Sequence, residues 1–151
     1  MTIQQTILIP IDIHDNFSPH LLEHHLQAFA GNGTRACFIT VIPDDSMLNR
    51  FALGFYTPGE IEEDKHRHEK AYQLLTQYVQ SITLPEMVVE CEVLFGHPRE
   101  RILEKAQQEK ASLIMLHSRS PNLSTLLLGS TASAVVKYAT TSVLIMRERL
   151  P

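Results

Sequence analysis

The chain has 151 residues, 44% of them hydrophobic and 20% charged, with a formal net charge of −4. That is enough for one domain with a real core and is an ordinary composition for a soluble protein. The mildly acidic balance, the lack of a Lys/Arg cluster and the lack of a long apolar run argue against nucleic-acid and membrane partners.

The N-terminus MTIQQTILIP has neither a basic region nor a small-residue cleavage site, so it reads as the lead-in to a strand and the protein as cytoplasmic. Thr6–Asp12, TILIPID, is the first predicted strand, apolar throughout as a strand covered on both faces should be. Asp12 ends it, which sets a carboxylate at the carboxyl edge. Ser18 then Pro19 signals a helix start, with Leu22, Leu26 and Phe29 at helical spacing and Gly31 and Gly33 around its stop. Arg35–Ile42 is the second strand, ended by Pro43. The connection Asp44–Thr57 is long and carries Met47, Leu48, Phe51, Leu53, Phe55 and Tyr56. It is expected to cover either a site or partner surface, or the domain's own core.

Thr57-Pro58 repeats the cap-then-proline signal. Ile61, His68, Ala71, Leu75, Val79 and Ile82 trace one face of a long helix whose opening is acidic, as the helix dipole prefers. Met87–Phe95 is a third strand, and its Glu90 and Glu92 alternate with apolar residues as at a sheet edge. Gly96-His97-Pro98 turns into a helix carrying Ile102, Leu103 and Ala106, and Ala111–Leu116 is the fourth strand. A hydroxyl-rich loop follows, His117 to Thr131, from which Gly129-Ser130-Thr131 opens the last helix. Ser142–Met146 is the fifth strand. Cys37 and Cys91 lie in strand-like runs and read as buried, reduced thiols.

Strands alternating with helices imply a parallel sheet with right-handed crossovers. In such folds the ligand crevice lies beyond the carboxyl ends of the strands, where the order reverses, so Asp12 and the His117–Thr131 loop should face each other across it. Phosphate oxygens would accept from the first-turn amides of the last helix and from the Ser130 and Thr131 hydroxyls. Arg119 offers a cation, with a solvated arginine as the plain alternative. Equally, Gly129-Ser130-Thr131 could be a helix cap with no ligand. The histidines show no metal-ligand spacing, and there is no Walker A sequence, GxGxxG, nucleophile elbow or Cys-His pair. Nothing in these patterns forms an efficient catalytic constellation.

ILIPID, FITVIP, FGHPRERILEKA and LLLGSTASAVVKYATTSVLIM together resemble the universal stress protein family over essentially the whole chain, and among its members the enterobacterial F/G-type subgroup. The resemblance implies one domain over residues 1–151: a Rossmann-like α/β fold with a five-stranded parallel sheet of order 3-2-1-4-5 and helices on both faces. It also implies an adenine-nucleotide site, for ATP or AMP with Mg2+ as an optional companion. The implied contacts are Pro10, Ile11, Asp12 and Val41 for the adenosine, with Asp12 accepting from the adenine amino group or a ribose hydroxyl. Leu116, His117, Ser118, Arg119, Gly129, Ser130 and Thr131 would surround the ribose and phosphates. The nucleotide-binding branch carries a motif of Gly, two residues, Gly, nine residues, then Gly-Ser/Thr. Gly129-Ser130 keeps its end, while His117 and Ser120 occupy the upstream glycine positions with only eight residues between Ser120 and Gly129. The implied role is a stress-linked regulator or sensor with at most slow ATP hydrolysis; the alternative is a nucleotide-independent dimeric scaffold or protein-interaction module. The resemblance also implies a homodimer through Ser142–Met146, which the Met47–Tyr56 loop could extend to a tetramer.

Overall fold

The computed structural model describes residues 2–15, 17–29, 31, 33–44, 53–54, 57–84, 86–118 and 128–147. Its elements run β1 (Gln5–Pro10), α1 (Pro19–Gln27), β2 (Thr34–Pro43), α2 (Pro58–Gln80), β3 (Val88–Gly96), α3 (Pro98–Gln108), β4 (Leu113–His117), α4 (Ser130–Tyr138) and β5 (Ser142–Met146). All strand pairs are parallel, in the order β3-β2-β1-β4-β5. This is the expected α/β architecture. Much of the Asp44–Thr57 connection, including Met47, Leu48, Phe51, Phe55 and Tyr56, lies outside the described residues; Leu53, within them, is exposed.

Strand alternation sorts the core into two layers. Ile7, Ile9, Phe38 and Met115 meet Leu22 and Leu26 of α1 and Leu75 and Val79 of α2 on one face. Leu8, Ile39, Ile114 and Leu116 meet Ile102 and Ala106 of α3 and Ala132 and Val135 of α4 on the other. The helices therefore cover both faces, and the strands are as apolar as double coverage requires.

Local chemistry sets the ends of the elements. Thr57 caps α2 through a full capping box, its hydroxyl accepting from the Glu60 N–H while the Glu60 carboxylate accepts from the Thr57 N–H. Ser18 is the N-cap of α1, with Pro19 at the first helical position, but its side chain makes no capping bond. Gly33 turns the chain into β2 at φ +91°, where an added Cβ would lie 3.0 Å from the Thr2 carbonyl oxygen, so glycine is required there.

Several sequence expectations need correction. The first strand ends at Pro10 rather than Asp12: Ile11 still donates to the Ile39 carbonyl, but Asp12 has already entered a turn closed by the Asp15 N–H. The fourth strand begins at Leu113 and continues through His117, which is a strand residue and not part of the loop. Ile61 and His68 are exposed, His68 lying against Phe95 of β3, and only Ala71, Leu75 and Val79 of the helix are buried. β3 is an edge strand as expected, but Val88 and Val89 at its start are exposed; coverage begins at Val93. Of the two cysteines, both free, Cys37 is buried and Cys91 is only partly so. Burial pushes the Cys37 thiol up to about 11, which keeps it neutral and unreactive.

An ion-pair network ties the amino edge of the sheet. Arg35 at the start of β2 donates to Glu90 of β3 at 3.2 Å and to Glu109, just past α3, at 2.6 Å. Lys105 bridges Glu92 and Glu109. The bonds from Lys105 and Arg35 hold the Glu109 carboxyl below its usual range. A carboxyl depressed in the folded state stabilises above its unfolded pKa, and that contribution is lost as pH falls through the folded value. Glu109→Gln is therefore expected to cost about 1 kcal/mol at neutral pH by urea denaturation, with the difference from the parent protein vanishing well below about pH 4. An undiminished difference in acid would contradict the assignment.

Candidate functional site

The sheet opens at its own topological switch. β1 and β4 pair only at Ile7–Leu113 and Leu8–Ile114. Ile11 directs its N–H to β2, so strand alternation turns Pro10, which has no N–H, toward β4. Without that donor the ladder stops and the two strands part. A cavity of about 430 Å³ occupies the gap, within the range of about 300–1,000 Å³ typical of small-molecule sites.

Four segments build it: residues 10–15 and 17 at the end of β1 and the following turn, residues 40–43 of β2, residues 116–118 at the end of β4, and residues 129–132 at the start of α4. Pro98 and Ile102 of α3 close one side. Of the residues singled out from the sequence, Pro10, Ile11, Asp12, Val41, Leu116, His117, Ser118, Gly129, Ser130 and Thr131 all line this cavity. Arg119 and Ser120 lie outside the described residues.

The walls differ in chemistry. Val41, Ile102, Leu116 and Ala132 supply apolar surface beside the buried Thr40. Asp12 is exposed at the rim, and its Oδ1 accepts from the His14 N–H at 3.0 Å, which fixes the carboxylate against its own turn and leaves Oδ2 for other donors. Ser118 is buried. Its N–H donates to the Met146 carbonyl at 3.1 Å, and its hydroxyl accepts from the Gly129 N–H at 3.2 Å. Gly129 is the N-cap of α4 and provides no side-chain cap, so the first-turn amides of Ser130, Thr131 and Ala132 begin the helix uncapped beside the cavity. Orphan amides with the positive end of a helix dipole form an anion-binding arrangement.

Opposite, His117 stacks on Phe17, with ring centroids 4.1 Å apart at 24°, and its Nδ1 lies 3.4 Å from Asp15 Oδ2. Phe17 in turn stacks on Tyr78 of α2. Burial, and then the nearby Asp15 charge, push the Tyr78 phenol well above its usual range, so it stays neutral. Among the described residues no group of three or more His, Cys, Asp or Glu is placed to hold a metal ion. Asp15, Phe17 and Thr40 were not singled out from the sequence. Asp15 and Phe17 follow the strand in a turn without periodicity, and Thr40 sits inside an apolar run; the only signal was their closeness to residues already chosen.

The chain is similar to known proteins over most of its length. The sequence profile of the "Universal stress protein family" matches residues 4–147. Universal stress protein G of Escherichia coli O157:H7 is 27% identical over 143 residues, covering 95% of this chain and 99% of that protein. Among solved structures, hypothetical protein MJ0577 superposes with a TM-score of 0.73 at 21% identity, covering 99% of this chain and all of the other. A universal stress protein in complex with cAMP gives 0.61 at 20% identity, with 96% and 98% covered. An Arabidopsis thaliana family member with AMP bound gives 0.58 at 12%, with 96% and 92% covered. At these identities the structural likenesses establish the fold.

Proposed function

Because the chain belongs to the universal stress protein family, we propose that the cavity between β1 and β4 binds an adenine nucleotide, ATP or AMP, and that the protein works as a stress-response regulator or sensor. The observation that carries this reading is the uncapped start of α4 beside a cavity that also holds Asp12 and an apolar slot. Adenine would lie against Val41 and Leu116, with Asp12 accepting from the ribose or the adenine amino group. The phosphates would accept from the amides of residues 130–132 and from the Ser130 and Thr131 hydroxyls. Mg2+ would arrive on the phosphates, since among the described residues no group of three or more His, Cys, Asp or Glu is placed to hold it. Neighbours solved with cAMP and with AMP support the ligand class.

Calorimetric titration of the nucleotide-free protein tests this. Dissociation constants at or below about the millimolar level are expected for AMP and ATP. Asp12→Ala should weaken binding about tenfold through its lost hydrogen bonds to the ligand. Gly129→Ala should weaken it too. Its φ of −61° suits alanine, so any loss would come from the methyl group at the cavity wall and not from backbone strain. No heat at millimolar ligand would sink the nucleotide reading and favour the nucleotide-independent scaffold.

The same reading includes a homodimer through β5. This strand ends the sheet, and its Val143, Leu144 and Ile145 are only partly buried. An open, apolar edge of this kind invites pairing with a second copy. Sedimentation equilibrium at micromolar concentration should give twice the 17.1 kDa chain mass; a monomer throughout that range would contradict it.

A further inference from the structure

The cavity has a charge problem as a phosphate site. Asp12 and Asp15 line it, and none of its described lining residues is a lysine or arginine. Among the described lining residues, His14 and His117 are the side chains that can carry positive charge. His14 is exposed, and its backbone N–H donates to Asp12 Oδ1. His117 is built into the wall: its side chain is 14% exposed, its ring is held flat against Phe17, and its Nδ1 faces Asp15. A carboxylate on one ring nitrogen fixes the orientation of the imidazole and commits the other nitrogen to a ligand. Nε2 has no partner among the described residues.

We propose that His117, oriented by Asp15 and Phe17, is the phosphate-binding side chain of this cavity and acts as the imidazolium, so that nucleotide binding takes up a proton. The proposal rests on the adenine-nucleotide reading and narrows its ligand class to phosphorylated adenosine rather than the nucleoside. A phosphate dianion facing an imidazole favours its charged form. The groups facing His117 fit this role. Asp12, His14 and Asp15 come from the turn after β1, and the neutral Tyr78 phenol comes from α2 behind Phe17. Glu23 of α1, which bears on Tyr78, is occupied by the Thr83 N–H. The start of α4 contributes only the non-titrating Ser130 and Thr131. Asp15 and Phe17 are positioning residues; His117 touches the ligand.

The test titrates the full chain with AMP and with adenosine, calorimetrically, at about pH 6 and about pH 8, in buffers of different ionisation heat. AMP should bind more tightly than adenosine, and more tightly at the lower pH. His117→Gln should lose about tenfold or more in AMP affinity while adenosine affinity is retained. It should also lose the part of the proton uptake that the titrating AMP phosphate does not itself supply. Asp15→Asn should weaken AMP binding in the same direction; it provides the reading if His117→Gln fails to fold, as judged by lost adenosine binding. Equal affinity for AMP and adenosine, or equal proton uptake by parent and His117→Gln, would overturn the proposal and leave the nucleotide reading standing. No heat with either ligand would remove both.

Discussion

The site depends on how Ser118 finishes β4. Its buried N–H donates to the Met146 carbonyl, and its hydroxyl accepts from Gly129, the N-cap of α4. One residue thereby fastens the ends of two strands and the start of a helix. The bonding also settles which amides a ligand can use. The Gly129 N–H is spent on Ser118, so the donors left at the helix start are those of residues 130–132. Loss of the hydroxyl would leave the Gly129 N–H without its partner and the helix start without its tether, at a cost of about 1 kcal/mol or more.

The two ends of the sheet are specialised. Charged groups at the amino edge pair among themselves, with Arg35 and Lys105 neutralising Glu90, Glu92 and Glu109 across β2, β3 and α3. Those bonds lock strand to helix and leave little for a ligand. The carboxyl edge has the reverse character: cavity walls whose described residues include no lysine or arginine, an uncapped helix start, and a gap where Pro10 interrupts the ladder between β1 and β4. The fold is secured at one edge and open to chemistry at the other, as expected of a sheet whose crossover helices pack tightly and whose strand order reverses in the middle.

Much of this was legible in the chain. Apolar runs such as TILIP and RACFITVI could only be doubly covered strands, and Thr57-Pro58 with Glu60 announced a capped helix that the structure shows in full. Among the cavity-lining choices, Asp12 and Gly129 to Thr131 followed from a strand end and a helix start, features with strong local signals, whereas Pro10, Ile11, Val41 and Leu116 to Ser118 came with the family resemblance. What escaped was set by tertiary placement. Ile61 carries the helical period but is exposed, so periodicity alone overstated its burial. His117 looked like a loop residue because it is polar after an apolar run. In the fold it extends β4 on the Met115 side and finds Phe17 and Asp15, partners in a turn about a hundred residues earlier that no local pattern connects to it.

The replacement of an upstream motif glycine by His117 therefore has a physical reading of its own. A glycine there would leave open space for backbone approach; a histidine anchored by a carboxylate and an aromatic ring offers a directed donor. The most direct measurement of the central claim is a backbone amide correlation spectrum followed through an AMP titration. Saturable shifts should concentrate at Asp12, Val41, Ser118 and residues 130–132. Shifts centred instead on the cleft at Tyr138–Thr141, or none at millimolar AMP, would contradict a nucleotide site between β1 and β4.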